Sequence, residues 1–380
     1  MSISYLDNAA TTPVRREVLE AMTPYLTTHF GNPSSHHTIG EQAAHALADA
    51  RNRVAAVLGM RATDVIFTSG ATEANNLAIK GVAIAAQQRC GARHVVTTPI
   101  EHESVLASID YLTRIHGFEA TLVPVDTTGL VDPDAVAAAI RDDTAIVSVG
   151  YANNEIGTVQ DVTGLVAAVA GRVPLHLDAV QAAGWLPLRG LGADALSIAG
   201  HKIGTPKGIG VLGIRSRIPL EPVLHGGGQE RERRSGTENV AGAVGLARAL
   251  ELAEAERSDA AERVAALRDD LIAGVLERVP IAQLTGHPEY RLPGTASFTF
   301  AGVNGETVLL ELERRGMVTS SGSACAAGSD EASHVLLALG VEPDEARTAV
   351  RVTLGHSATG SVAPIIDAIE AAVAAVGSGV

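Results

Sequence analysis

The chain has 380 residues and a formal net charge of −14, which, without a dense Lys/Arg run, argues against direct nucleic-acid binding. Hydrophobic residues make up 46% of it and aromatics 3%, so Ala, Val and Leu must fill a sizeable core. Neither a disordered chain nor a membrane-spanning one fits that composition.

Near the start, Met1 leads within a few residues to Asp7 and Asn8. Nothing there reads as a signal peptide, so a cytoplasmic location with Cys90 and Cys325 reduced is expected. From Val65 onward, β-rich runs alternate with helical ones. Val65–Thr68 reads as a strand, Ser69-Gly70-Ala71-Thr72 as a turn and 73–80 as a helix. Strands are predicted at 94–98, 120–125, 145–150, 174–178 and 195–199, with helices at 104–116, 134–140 and 163–170 between them. The glycine-rich run 208–214 reads as a further strand that closes an edge. This alternation predicts a mostly parallel α/β sheet with helices on both faces.

After about Arg234 the composition changes. A long helix is predicted over 240–273, then a strand at 296–300, a helix at 307–315 and a small, polar loop at 320–329. Helices at 333–339, 344–349 and 365–376 flank a strand at 350–354. That pattern is an α+β tail on an α/β body.

In parallel sheets, ligands gather beyond the carboxyl ends of the strands. Thr72, His102, Asn154, Asp178, His201 and Lys202 all fall there. The Ser69–Thr72 turn before a helix can cradle an anion, or Ser69 or Thr72 can simply cap the helix. Asp178 ends an apolar run and needs a partner, which a protonated pyridine or a structural cation would supply. Lys202 follows an apolar strand and Gly200. Poor solvation there would lower its pKa and suit it to form a Schiff base, whereas a snorkelling lysine would do neither. Pyridoxal phosphate requires these three features together: a lysine, an acid facing the ring nitrogen and a phosphate site. Cys325, among Ser320, Ser321, Gly322, Ser323, Ala326, Ala327 and Gly328, has the surroundings of a reactive loop thiol rather than of a buried structural one. Cys90, before Gly91 at a helix end, reads as structural.

The sequence resembles the cysteine desulfurases, fold-type I pyridoxal-phosphate enzymes of the class V aminotransferase group, in the branch that serves iron–sulfur cluster assembly. The resemblance runs from Tyr5-Leu6-Asp7-Asn8-Ala9-Ala10-Thr11-Thr12 to Leu354-Gly355-His356. Between these lie Glu101-His102, Asn153-Asn154-Glu155, Asp178-Ala179-Val180-Gln181, Gly200-His201-Lys202, Arg234-Ser235-Gly236-Thr237 and Ser320-Ser321-Gly322-Ser323-Ala324-Cys325.

The resemblance implies a seven-stranded, mostly parallel sheet in a large domain at 15–255, and a small α+β domain at 1–14 and 256–380 carrying the Cys325 loop and Arg351. It implies that Lys202 holds the cofactor, that Asp178 pairs with the pyridine nitrogen, and that Gln181 and Asn154 bond at the ring hydroxyl. His102 would stack on the ring and handle protons. Ala71, Thr72 and His201 would bind the phosphate, joined by Thr237 from the second copy of a homodimer. Arg351 would clamp the substrate carboxylate, with Asn154 beside it. Cys325 would take sulfur from L-cysteine as a persulfide, leaving L-alanine, and pass it to an acceptor such as an iron–sulfur scaffold or a thiolation relay. No resident metal is implied, although Cys325 would be able to ligate an iron–sulfur cluster transiently with a partner.

One position departs from the pattern. Many relatives have a phosphate-binding serine where Ala199 stands, which puts cofactor affinity in question, with water or Ser197 as substitutes. Rival readings are a selenocysteine lyase or small amino-acid aminotransferase of the same fold, a non-catalytic sulfur-relay scaffold, and a metal hydrolase built on His36, His37, His176 and Asp178. No HExxH or comparable spacing supports the last.

Overall fold

The computed structural model describes residues 3–321 and 332–377. Its centre is a seven-stranded sheet. The strands run, in spatial order, Val65–Thr68, Gly210–Ile214, Ala195–Ala199, Leu175–Asp178, Thr144–Gly150, His94–Thr97 and Glu119–Leu122. Gly210–Ile214 is antiparallel to both its neighbours, and the remaining pairs are parallel. Strands such as Val65–Thr68 and Ala195–Ala199 are buried along their whole length. Helices cover both faces of the sheet, which is why these strands read as continuous apolar runs rather than alternating ones.

Gly210–Ile214 is not an edge strand, as its sequence suggested. It lies one place in, with Val65–Thr68 outside it. Its glycines serve close packing. A Cβ at Gly210 would stand 2.6 Å from the backbone carbon of Gly70, so only glycine lets the Ser69–Gly70 turn lie on this strand.

One face of the sheet is covered by Ala71–Asn76, which continues through a π turn at Leu77–Gly81 into Val82–Cys90, and by Glu103–His116. The helix predicted at 73–80 is thus longer at both ends. The other face is covered by helices that the composition did not reveal, Arg16–Thr27 and Thr38–Leu58, together with the first half of Val240–Arg278. His37 starts the second of these, its Nδ1 accepting from the Gly40 N–H at 3.2 Å. Gly59, in the left-handed region at φ 63°, ends it.

The long helix Val240–Arg278 takes part in two cores. Val240, Val244, Leu246 and Leu250 pack with the large sheet. Val264, Leu271 and Val275 pack instead with Phe298, Val352 and the C-terminal helix Ala363–Gly377. This second core lies on an antiparallel sheet of Val350–Thr353, Thr295–Phe300 and Ala282–Leu284, in that order. Residues 4–9 run beside it. Ser4–Tyr5 pairs in parallel with Met317–Val318, and Asp7 bridges to Thr353. Among the described residues, no helix is long and apolar enough to cross a membrane.

Candidate active site

A cavity of about 510 Å³ opens at the carboxyl ends of the central strands. Thr72, His102, Asn154, Asp178, His201 and Lys202, singled out because each follows a strand, all line it, as do Ala71, Gln181, Ala199 and Arg351.

Asp178 closes its strand and pairs in register with Gly150 on one side and Ser197 on the other. The carboxylate is buried. Among the described residues it is met by amides: Asn75 Nδ2 donates to Oδ2 at 2.7 Å, and the Val180 N–H donates to Oδ1 at 3.1 Å. The Asn75 amide also donates to Ser104 Oγ at 2.9 Å. Ser104 Oγ lies 2.8 Å from Nδ1 of His102, which also accepts the Ser104 backbone N–H at 3.0 Å. His102 is thereby the N-cap of Glu103–His116.

Lys202 ends a short 3-10 turn after the Ala195–Ala199 strand. Its amine donates to the carbonyls of Ala9 and Ala10, the second at 2.9 Å. Gln181 Nε2 donates to the same Ala9 oxygen at 3.0 Å. His201 sits beside it, Nδ1 3.2 Å from Thr11 Oγ1. Burial, with Lys202 and Lys207 nearby, pushes the His201 imidazole down to about 4, so it is neutral at physiological pH.

The Ser69–Thr72 turn is braced from outside. Glu73 accepts the Ser69 N–H at 2.8 Å and a forked pair of bonds from Arg234, at 2.7 and 3.1 Å. Burial pushes the Glu73 carboxyl up, but these bonds outweigh it and leave it below its usual range. Arg234 belongs to a segment in which Glu230, Arg231 and Glu232 are all left-handed, at φ 48°, 60° and 65°. Arg51 holds that segment, donating to both Glu230 oxygens at 2.6 and 2.7 Å. Thr237 lies just beyond, exposed and outside the cavity.

Arg351 is 1% exposed. Its two terminal nitrogens donate to Asp7 Oδ1 and to the Asn154 carbonyl, each at 2.7 Å, while its buried Nε has no partner.

Glu101 was not read from the sequence as a site residue. It is buried and lines the cavity. Thr98 Oγ1 donates to it at 2.6 Å. Burial, helped by the nearby Asp178 charge and opposed by bonds from Thr98 and Gly150, pushes its carboxyl up to about 7. Only a glutamate directly before His102 in the chain pointed to it. Asn75, mid-helix, carried no signal at all.

Two expectations need correction. Ser197 cannot stand in for the hydroxyl missing at Ala199, because it is fully buried and its Oγ is taken by His176 Nε2 at 2.8 Å. The metal-hydrolase set does not assemble. His36 and His37 are exposed, and His176 is buried between Ser148 and Ser197. Burial pushes His176 down to about 4. Among the described residues, no group of three or more His, Cys, Asp or Glu side chains is placed to hold a metal ion. Cys325 lies outside the described residues.

The residues present fit pyridoxal phosphate. An amine, a buried carboxylate, an imidazole and a glycine turn at a helix start surround one space, and a buried guanidinium with an unpaired nitrogen lines the same wall. The fold and this donor set define an aminotransferase-like α/β enzyme. The Aminotransferase class-V family model matches residues 4–361, and the chain belongs to that family. Cysteine desulfurase IscS from Methanosarcina thermophila is 46% identical over 358 residues, 93% of this chain and 88% of that protein, which puts the chain among the family's cysteine desulfurases. Among solved structures, a NifS-like protein superposes with a TM-score of 0.90 at 37% identity, covering 100% of both chains. A second, described as SspA in complex with cysteine, has a TM-score of 0.80 at 35% identity, covering 92% of this chain and 98% of that one.

Proposed function

We propose that the protein converts L-cysteine to L-alanine, holds the sulfur as a persulfide on Cys325 and passes it to an acceptor protein of iron–sulfur cluster assembly or a thiolation relay. The observation that carries this reading is the single cavity onto which Lys202, Asp178, His102 and Arg351 all open. Similarity to a solved neighbour described as a complex with cysteine supports the substrate.

Pyridoxal phosphate, when bound, supplies the electron sink that makes the substrate α-proton acidic. Lys202 would hold the cofactor and move that proton. Asp178 would pair with the ring nitrogen and favour its protonated form. Gln181 and Asn154 would bond near the ring hydroxyl, and His102 would stack on the ring and handle protons. Ala71, Thr72 and His201 would take the phosphate, with Thr237 supplied by the second copy of a homodimer. Arg351 binds the substrate carboxylate as a forked donor, a task its planar guanidinium performs better than an ammonium.

The Cys325 thiolate attacks the substrate sulfur. A sulfur–sulfur bond forms and the substrate carbon–sulfur bond breaks. Its electron pair stays with the carbon, which gains a proton on the way to alanine. The test is to incubate the protein with cysteine and a reductant and to measure alanine and sulfide. The parent is expected to make equal amounts of both, and Cys325→Ala neither. A Cys325→Ala variant as active as the parent would overturn the persulfide route.

A further inference from the structure

We propose that Asn75 is a positioning residue that sets the Asp178 carboxylate and, through the Ser104 hydroxyl, the His102 ring as one unit. The inference rests on the cofactor reading of the cavity and concerns how two of its groups are held relative to each other.

The direction of every hydrogen in this chain of contacts is fixed. A backbone N–H can only donate, so the 3.0 Å bond from Ser104 N makes Nδ1 of His102 an acceptor. The neutral ring therefore carries its hydrogen on Nε2. With Nδ1 an acceptor, the Ser104 hydroxyl 2.8 Å away must donate to it. That hydroxyl has spent its one hydrogen, so it accepts from Asn75 at 2.9 Å. A carboxylate only accepts, so the second Asn75 hydrogen goes to Asp178 Oδ2 at 2.7 Å.

The amide orientation follows without ambiguity. A flipped Asn75 would set its oxygen against the Asp178 carboxylate and the Ser104 lone pairs. The cost of the arrangement is visible: Asn75 is 1% exposed, and its Oδ1 has no partner. A buried amide with an orphaned oxygen is held by its two N–H bonds alone. Both bonds lead to groups that line the cavity. The amide links the carboxylate that ends the central strand to the imidazole that caps the neighbouring helix.

The test is a double-mutant cycle on the holoenzyme, read by nitrogen NMR of labelled histidine, with His102 assigned by difference against His102→Gln. Ser104→Ala removes the hydroxyl donor, and the Nδ1 resonance moves. Asn75→Ala leaves that hydroxyl free to turn away, and the same resonance is expected to move in the same direction. In the double variant it moves no further than in Ser104→Ala. In parallel, alanine formation in Asn75→Ala is expected to fall about tenfold in kcat, the effect of one hydrogen bond. The double variant is expected to be no slower than Asn75→Ala.

An unmoved His102 resonance in Asn75→Ala, or additive effects in the double variant, would overturn the inference. If Asn75→Ala fails to fold, Asn75→Leu keeps the volume with no donor and no second acid beside Asp178, and must move the same resonance. A parent that fails to take up pyridoxal phosphate sinks the cofactor reading instead. A parent that takes it up while Asn75 proves silent sinks only this inference.

Discussion

The guanidinium of Arg351 reaches the carboxylate of Asp7 at 2.7 Å, across 344 positions of sequence. The pair is nearly closed to solvent, with side-chain exposures of 2% and 17%. A substrate carboxylate bound at Arg351, as proposed above, would meet a guanidinium already oriented by Asp7 and the Asn154 carbonyl. Arg351→Lys keeps the charge and loses the fork. Its kcat/KM for cysteine is expected to fall roughly ten- to a hundredfold, the worth of one charge-assisted bond. Steady-state alanine formation checks this, with the change expected in KM more than in kcat.

Position 199 offers a gain rather than a loss. Ala199 lines the cavity, and Ser197 is committed to His176. Ala199→Ser places a hydroxyl at the expected phosphate end. Pyridoxal-phosphate affinity is expected to rise about tenfold or more, the worth of a hydrogen bond to a charged group. Equilibrium binding to the apoprotein measures it, and an unchanged Kd would show that the phosphate does not face this position.

Glu101 gives a pH signature. Its carboxyl is raised from 4.5 to about 7 by burial. The folded state therefore holds a proton that the unfolded state has released. Stability from this group is intact below about 4.5 and is lost as pH rises through 7. The loss is on the order of 3 kcal/mol by the linkage between pKa shift and free energy. Glu101→Gln mimics the protonated form, accepting from Gly150 and donating to Thr98. Urea unfolding of the apoprotein is expected to show parent and variant close at pH 4.5, and the variant clearly more stable at pH 8.

Glu230 holds three successive left-handed residues in place. Each non-glycine residue in that region costs roughly 1 kcal/mol or more, and the Arg51–Glu230 pair, with the Phe67 N–H donating to Glu230 at 3.2 Å, offsets it. Glu230→Ala leaves the buried Arg51 without its counter-charge, holding only the Val65 carbonyl. The expected loss of unfolding free energy is about 3–5 kcal/mol, measured by chemical denaturation. Cofactor affinity is expected to weaken too, because the released segment carries the Arg234 brace on Glu73.

The central parallel strands were legible because burial on both faces makes them short, mostly apolar runs that end in a polar residue or a glycine. Thr144–Gly150 and Leu175–Asp178 show this, with Ser148 and His176 the polar interruptions, bonded to each other. The same stops marked Asp178 and Lys202. Helix Thr38–Leu58 was missed because its buried stripe is largely alanine, at Ala43, Ala46 and Ala50, and alanine offers little contrast in hydropathy. Asn75 and the Ala9 and Ala10 carbonyls were invisible for another reason. They act through a backbone oxygen or a single amide, and only the fold decides what faces them.

Residues 4–12 tie these parts together. The Ser4 and Leu6 N–H groups bond to Gly316 and Val318, the Ala9 N–H bonds to Thr353 Oγ1, and the Ala9 and Ala10 carbonyls receive Lys202. This segment is therefore seated partly on Lys202, 192 positions on from Ala10, and partly on residues far later in the chain, such as Thr353, which Asn8 Nδ2 reaches across 345 positions. During synthesis the large sheet can form early, while the Lys202 amine waits for its two carbonyls and Arg351 for Asp7. A ribosome-bound fragment that stops short of Thr353 would hold the large sheet and an unfinished site, because Asn8 and Ala9 would lack the Thr353 groups that seat them.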